Sequence, residues 1–256
     1  MGIGWNISGL SAITRVPKNI YYDGAVSPVT NTSSDVFALD GTRLIPTGTS
    51  STFKFETDNF STITSYDAGP NRWWRVKTKE GIEMDYGSGS DSRLLNDGNT
   101  EVMAWRIKRI KDVNDNYIEF LYTNVTGSGA GSPKNILIDK IVYTKNDGAA
   151  LSTPYNEIKF NYTTAPFNTT VYEAGSAILL NRLLTSIEVR GENNQLVKTY
   201  VFNYGHNNIG VYLKEIKEKD GSGNEMNSTI FKYGDGDGTA IQIEQGNVNA
   251  YTPNKY

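Results

Sequence analysis

The sequence predicts an all-β fold, an extended antiparallel sheet of successive β-hairpins that is open or curved, with little or no helix. Composition favours strands, because 16 Tyr, 9 Phe and 4 Trp suit a pleated surface and 25 Gly supply turns. No long stretch has the helical period of about 3.6 residues. The best helical candidate, Ser176–Leu184, is short and equally fits the start of a strand.

A self-similar unit predicts the hairpins. Each copy has an outgoing strand, a polar turn rich in Asp, Asn and Gly, and a return strand that ends in tyrosine. The terminal residues are Tyr86, Tyr122, Tyr162, Tyr204 and Tyr233. The return strands alternate, with Ile118, Phe120 and Tyr122 on one face and polar residues on the other. The gaps of 36, 40, 42 and 29 residues between these tyrosines are too irregular for a propeller. We therefore expect neighbouring hairpins to bury each other's aromatic stripes.

Three segments follow from the pattern. Residues 1–70 form a less regular opening segment, 71–246 hold the hairpins, and 247–256 are a polar tail leading into downstream chain. No apolar run approaches the roughly 20 residues that span a bilayer, so membrane insertion is not expected. The chain opens without the basic and apolar regions of a signal peptide. We expect it to be a segment cut from a longer chain.

Several kinds of chemistry are not expected. The net charge is −3, and the densest basic group does not share one strand face, so nucleic-acid binding is not predicted. That group comprises Arg106, Lys108, Arg109 and Lys111. Cysteine is absent, and the one histidine, His206 in a turn-like context, cannot build a catalytic triad or multi-histidine metal site alone. Glu83 and Asp85 are interpreted as solvent-facing acids, and Asp235–Gly238 as a turn rather than a calcium loop. The sequence thus predicts no catalytic residue, cofactor or metal.

The opening motif carries a family resemblance. With Gly2, Gly4, Trp5, Gly9 and Arg15, it resembles the signature of the SpvB-type amino-terminal domain. That domain is found in Salmonella virulence plasmid proteins and in B components of Tc insecticidal toxin complexes. The first glycines are expected to let backbone pack closely beside the tryptophan.

The hairpins, most clearly residues 112–122, resemble Rhs or YD repeats. The two resemblances imply a non-catalytic scaffold within a larger secreted or cell-surface protein, contributing to a hollow shell around a toxic carboxy-terminal segment. The implied partner is the rest of the chain's own longer polypeptide or a partner shell protein. SpvB carries an ADP-ribosyltransferase in a different, carboxy-terminal domain. No two glutamates here stand two positions apart as that activity requires, so the resemblance does not extend it to this chain.

A carbohydrate-binding or adhesion module is the alternative. Trp73 and Trp74 adjoin polar residues, and exposed indoles stack on sugar rings. Adjacent strand residues point to opposite faces, so at most one of the two would be free for a glycan. The core interpretation is favoured, because tryptophan tends to bury its large apolar surface.

Overall fold

The chain is all-β in a computed structural model that describes residues 2, 4–48, 51–127, 134–149, 153, 155–207, 210–233 and 242–245. Contacts divide it into two compact units. The barrel unit comprises residues 9–154 and 168–181, and the meander unit comprises 1–8, 155–167 and 182–256. The predicted tail, 247–256, and the Asp235–Gly238 turn lie outside the described residues. The division at residues 70 and 246 rests on sequence pattern and stays a prediction.

Eleven strands lie wholly within the barrel unit. They are β1 Ala12–Val16, β2 Val36–Leu39, β3 Thr42–Pro46, β4 Thr52–Phe55, β5 Thr62–Tyr66, β6 Trp73–Lys77, β7 Glu83–Tyr86, β8 Arg93–Leu95, β9 Val102–Lys111, β10 Asn116–Thr126 and β11 Lys134–Asn146. One four-residue helix, α1 Ile20–Asp23, follows β1, and 3-10 turns occupy Gly69–Asn71 and Ser90–Ser92.

The remaining strands lead into the meander unit. They are β12 Asn156–Glu173 and β13 Ser176–Arg190, which contribute residues to both units, then β14 Leu196–Asn207, β15 Gly210–Asp220, β16 Glu225–Lys232 and β17 Gln242–Gln245. A 3-10 turn at Glu192–Asn194 joins β13 to β14. The helical candidate of the sequence lies in β13. The described residues thus confirm an antiparallel all-β chain with almost no helix.

The prediction of an open or curved sheet is wrong for the barrel unit, where eight strands close into a ring. Antiparallel pairing runs from β1 through β7 in order, then from β7 to β9 and from β9 back to β1. Closure is possible because β9 is ten residues long and offers different partners along its length. Trp105 pairs with Ile13 of β1, and Ile110 pairs with Met84 of β7. A closed barrel leaves no unpaired edges around the ring.

Aromatic side chains fill the barrel. Trp74 and Trp105 are 0% exposed. Phe37 packs against both, and Phe53 packs against Trp74. The ring centroids of Phe37 and Trp74 lie 4.8 Å apart, and those of Trp74 and Trp105 lie 5.7 Å apart, both edge-to-face. Such contacts add about 0.5–1.5 kcal/mol each beyond the burial of apolar surface. The strand alternation of β6 produces this core, since Trp74 faces inward while its neighbour Trp73 does not.

The meander unit is built from consecutive antiparallel neighbours. β13 pairs with β14, β14 with β15, β15 with β16 and β16 with β17. Shelter of the apolar stripe varies along the chain. Phe120, Phe160 and Phe202 are each at most 9% exposed, whereas Phe231 in β16 is half-buried.

Candidate functional site

Two hairpin turns share one hydrogen-bonded structure. In the β9–β10 turn, Asp112 Oδ1 accepts from the backbone N of Asn114 and Asn116, both at 2.9 Å, and Oδ2 accepts from Asn116 Nδ2 at 3.0 Å. In the β15–β16 turn, Asp220 accepts in the same way from the backbone N of Ser222 and Asn224 and from Asn224 Nδ2. The hydrogen bond from the asparagine side chain is the largest cause that lowers the pKa of each aspartate. The aspartate therefore serves as the cap of the turn.

The opposite end of these hairpins carries a second repeated feature, which we call the tyrosine clasp. The Tyr122 hydroxyl donates to the carbonyl oxygen of Ile107 at 2.6 Å. The Tyr204 hydroxyl donates to Leu184 O at 2.7 Å, and the Tyr233 hydroxyl to Leu213 O at 2.6 Å. In each case a tyrosine on or just after the return strand reaches back to the outgoing strand.

The three clasps stand at one position relative to the strand pairing. The last paired residues before each clasp are Glu119 with Arg109, Val201 with Ser186, and Ile230 with Glu215. Each clasp tyrosine lies three residues after the return-strand residue of that last pair, as Tyr122 does after Glu119. The residue whose carbonyl accepts lies two residues before the outgoing-strand residue, as Ile107 does before Arg109. The strands part at this point, which we call the fork. At the fork, the carbonyl of the outgoing strand no longer has a backbone N–H of the return strand as its partner. It accepts a hydrogen bond from the tyrosine hydroxyl instead.

One of the predicted repeat tyrosines, Tyr86, has a different geometry. It stays in register opposite Trp74, and its hydroxyl lies 3.0 Å from Ser11 Oγ and 3.7 Å from Met84 Sδ. Tyr162, the remaining repeat tyrosine, is half-buried in β12. The sequence pattern alone did not distinguish a clasp from a tyrosine that remains within its ladder.

Burial raises the pKa of three of the repeat tyrosines. Desolvation raises the pKa of Tyr204 to about 12 and also raises that of Tyr122. Desolvation likewise raises the pKa of Tyr86 to about 12, although its hydrogen bond to Ser11 opposes the shift. The folded state therefore favours the protonated form of all three hydroxyls.

The signature residues Gly2 and Trp5 reach the last fork. Trp5 Nε1 donates to the Tyr233 hydroxyl at 2.9 Å, and the indole packs edge-on against Phe231 with ring centroids 4.5 Å apart. Gly2 has φ +86°, and a Cβ there would lie 2.9 Å from Val211 O. The glycine that was predicted to let the backbone pack closely beside the tryptophan is thus Gly2, and the backbone it approaches is that of β15. Gly4 and Gly9 also have positive φ, but face open space.

Arg15, the remaining signature residue, is a buried guanidinium inside the barrel unit. Nη1 contacts Asp35 Oδ2 at 3.0 Å, and Nη2 contacts Glu101 Oε2 at 2.6 Å. Nε donates to Val102 O at 2.7 Å, and Nη1 also donates to Thr32 O. The side chain is 1% exposed. It therefore joins β1 to β9 and to the loop that precedes β2.

Hydrogen bonds keep Asp35 ionised beside this arginine. Burial by itself would raise the pKa of the carboxyl. Hydrogen bonds from the hydroxyl and backbone N of Thr30, from Arg15 and from the Thr32 backbone outweigh burial, and the pKa of Asp35 lies below its ordinary value. Asp35 and Glu101 could not be assigned to Arg15 from the sequence, because they stand 20 and 86 positions away.

Asp85 is not the solvent-facing acid predicted from the sequence. It is 8% exposed and accepts two hydrogen bonds from Arg75, Nε at 2.7 Å and Nη2 at 2.9 Å. The two residues are cross-strand neighbours on β6 and β7, which explains the pairing. Glu83 contacts Lys77 at 3.2 Å. These carboxylates are engaged in ion pairs of the sheet.

Three of the four basic residues of β9 are also paired. Lys108 contacts Asp91 at 2.9 Å, Lys111 contacts Asp115 at 3.1 Å, and Arg109 contacts Asp147. Each of these cations therefore has an acidic neighbour within the barrel unit.

The two adjacent tryptophans lie on opposite faces of β6. Trp74 belongs to the barrel core, so its burial prevents contact with a glycan. Trp73 is half-buried and stacks on Tyr66 with ring centroids 4.2 Å apart and an interplanar angle of 13°. The guanidinium carbon of Arg75 lies 5.6 Å from the centroid of the Trp73 ring. The structure gives the predicted glycan contact no support.

His206 lies in β14 rather than in a turn. It pairs with Val211 in the β14–β15 ladder, its side chain is exposed, and its ring lies 6.0 Å from that of Phe167. Within the described ranges, no group of three or more His, Asp or Glu side chains is arranged to hold a metal ion. No helix formed by the described residues is long and apolar enough to span a bilayer.

These features define a class, an all-β module with a closed barrel, a buried arginine network and clasped antiparallel strands. Residues 50–219, which are 170 of the 256 residues, match the family described as Salmonella virulence plasmid 65kDa B protein, SpvB. The chain belongs to this family, and the resemblance stated from the opening motif is confirmed. No curated protein matches the chain significantly.

Solved structures share the fold. The N-terminal domain of the effector protein SpvB from Salmonella typhimurium strain LT2 matches with a TM-score of 0.68 and 15% identity, over 86% of this chain and 89% of that one. A Photorhabdus luminescens Tc holotoxin pore structure matches with a TM-score of 0.73 and 14% identity. TcdB2-TccC3 matches with a TM-score of 0.67 and 15% identity. In both toxin structures the match covers 91% of this chain and 14% of the other.

Proposed function

We propose that this chain is a non-catalytic structural module of a larger secreted or surface-associated protein, and that it forms part of a shell around a toxic segment. The observation that carries the proposal is the shared fold with a chain of a Tc holotoxin, of which this chain spans 14% of the length. The partner would be the rest of the same polypeptide or a second shell protein.

The side-chain chemistry supports a mechanical role. Three features connect separate parts of the backbone or neighbouring strands. They are the clasps, the turn-capping aspartates and the Arg15 network. Opposite charges face each other: the buried Arg15 contacts two carboxylates, and the partly exposed Arg75 pairs with Asp85. Breaking the buried Arg15 pair is expected to be destabilising, because it leaves an uncompensated charge.

Electron microscopy of the longest reading frame that contains this chain tests the shell. We expect a hollow, closed particle with the barrel and meander units in its wall. The carboxy-terminal segment should resist trypsin in the native particle and be cleaved after the particle is opened with denaturant. An extended particle, or a tail cleaved at the same rate in both states, would contradict the proposal.

An assay for ADP-ribosyl transfer tests the non-catalytic part. The purified chain, incubated with labelled NAD and candidate acceptor proteins, should transfer no more label than a heat-denatured sample. Transfer that increases with chain concentration would overturn this part and leave the shell experiment unaffected.

A further inference from the structure

We propose that the fork between β15 and β16 is a peptide-binding site whose ligand is a turn-forming Gly-x-Gly-Trp segment. In this structure the ligand is the chain's own opening segment, which presents Gly2 and Trp5 to the fork. We infer that the same segment of a second copy binds there once the chain's own segment has been released.

The site has a polar end and an apolar wall. Tyr233 donates to Leu213 O, and its hydroxyl oxygen accepts from Trp5 Nε1, so the indole N–H is satisfied through the clasp. Phe231 forms the apolar wall against the indole at 4.5 Å. The ring of Tyr212, 5.1 Å from that of Tyr233 at an interplanar angle of 68°, supports the clasp tyrosine. This combination favours a ligand side chain that is both aromatic and a hydrogen-bond donor, as tryptophan is.

The backbone of β15 selects the glycine. At Gly2 any side chain would place its Cβ 2.9 Å from Val211 O and 3.3 Å from the Cα of Tyr212. Both neighbours are backbone atoms of a paired strand and cannot move aside easily. The φ of +86° independently favours glycine. Two elements three positions apart, glycine and tryptophan, thus define the ligand.

The opening segment contacts the fork without forming a strand of the sheet. Residues 2 and 4–11 are in no strand, and a backbone hydrogen bond from Trp5 N to Gly2 O, at 3.4 Å, folds the segment on itself. β15 keeps its ladders with β14 and β16 without it. Release of the segment therefore removes a few side-chain and close backbone contacts but no ladder of the meander.

Tethering explains why the site is filled by its own chain. The segment belongs to the same polypeptide as the fork, 228 positions away along the sequence, so its docking is intramolecular and a free peptide must compete with it. A variant that cannot dock its own segment should therefore expose the site to a peptide in solution.

Binding of a fluorescein-labelled peptide with the sequence of residues 1–10 tests the proposal by anisotropy. The full-length Trp5→Ala variant should bind it at least tenfold more tightly than the unmodified chain, whose site is occupied. A peptide carrying Trp5→Ala should bind the variant at least fivefold more weakly. Adding Tyr233→Phe to the variant should weaken binding about three- to tenfold, as loss of one hydrogen bond predicts.

Two further measurements make each outcome decisive. Circular dichroism establishes that each full-length variant used as the receptor is folded. If Trp5→Ala unfolds, full-length Gly2→Ala replaces it, because the added Cβ would collide with β15 and prevent the chain's own segment from docking. Failure of a folded, vacated receptor to bind the peptide overturns the proposal. Equal binding of the unmodified peptide and the Trp5→Ala peptide overturns it as well, because it shows non-specific adhesion. This site does not depend on the proposed shell, so either proposal can fail alone.

Discussion

The hydroxyl of Tyr122 donates to the carbonyl oxygen of Ile107 at 2.6 Å, at the position where β10 leaves β9. The Ile107 N–H donates to Ser11 O at 3.0 Å. The backbone of Ile107 is therefore hydrogen-bonded to the segment that enters β1 rather than to the backbone of its hairpin partner β10. The clasp therefore marks a change of partner along one strand. It satisfies the carbonyl that such a change would otherwise leave unpaired.

Loss of the clasp should destabilise the fold. We expect Tyr122→Phe to lower the free energy of unfolding by about 1–2 kcal/mol, because the Ile107 carbonyl is left buried without its donor. Urea denaturation followed by circular dichroism measures the change. Tyr172→Phe, at a side chain that is 76% exposed, is the matched control and should be neutral. Equal effects of the two substitutions would show that the clasp contributes nothing.

The turn-capping aspartates should make stability depend on pH in the acid range. Asp220 has a pKa below its ordinary value of 3.8, so the folded state favours the charged form. The resulting stability is present above that ordinary value and is lost as the pH falls through the lower folded value. Thermal melts from pH 2 to 7 should show a gap between the chain and Asp220→Ala that narrows below about pH 4. A gap that is constant across this range would contradict the assignment.

The Arg15 network should be intolerant of losing its cation. Arg15→Met leaves Asp35 and Glu101 beside an apolar side chain, and we expect a loss of about 3–5 kcal/mol in unfolding free energy. Lys79→Met, at a side chain that is 64% exposed, should change stability by less than about 0.5 kcal/mol. Adding Asp35→Asn to Arg15→Met should recover part of the loss. If Arg15→Met costs no more than its control, the buried pair does not stabilise the barrel.

Adjacent tryptophans offer a matched test of the barrel core. Trp74→Ala should cost about 3–5 kcal/mol, because it opens a cavity among Phe37, Phe53 and Trp105. Trp73→Ala removes a half-buried stack on Tyr66 and should cost no more than about 1.5 kcal/mol. Equilibrium unfolding of both variants measures the difference. Equal costs would argue against the inward orientation of Trp74.

Alkaline titration should reveal the protected tyrosines. The pKa values of Tyr86 and Tyr204 are raised from 10.0 to about 12 in the folded state. The unfolded chain ionises first, so stability is fully present below pH 10 and falls as the pH rises towards 12. Absorbance at 295 nm should show a late-titrating fraction that Tyr204→Phe reduces. Titration of all tyrosines together near pH 10 would contradict these environments.

Much of the local structure could be predicted from the sequence. Alternation of apolar residues identified the return strands, and the Asp-x-Asn-x-Asn run at 112–116 identified a turn whose hydrogen bonds are now explicit. The opposed faces of Trp73 and Trp74 followed from strand geometry alone. These features depend on residues within a few positions of each other, which is the range that sequence periodicity covers.

Features that depend on distant residues could not be predicted. Ring closure requires Ile13 to pair with Trp105, and no local pattern indicates which strands meet. Asp85 resembled a surface acid because Arg75 becomes its neighbour only when β6 and β7 pair. The clasp acceptors are backbone carbonyls, which carry no residue-specific signal. Sequence periodicity indicates which face is apolar but not which strand covers it.

Strand β9 pairs with β1 and β8 along its first half and with β7 and β10 along its second. Amide protons in such a strand exchange with solvent only when several neighbours separate together. In deuterated water, β9 should therefore retain protium longest in the barrel unit. Opening the ring and freeing the β10 hairpin would then be one cooperative event rather than two.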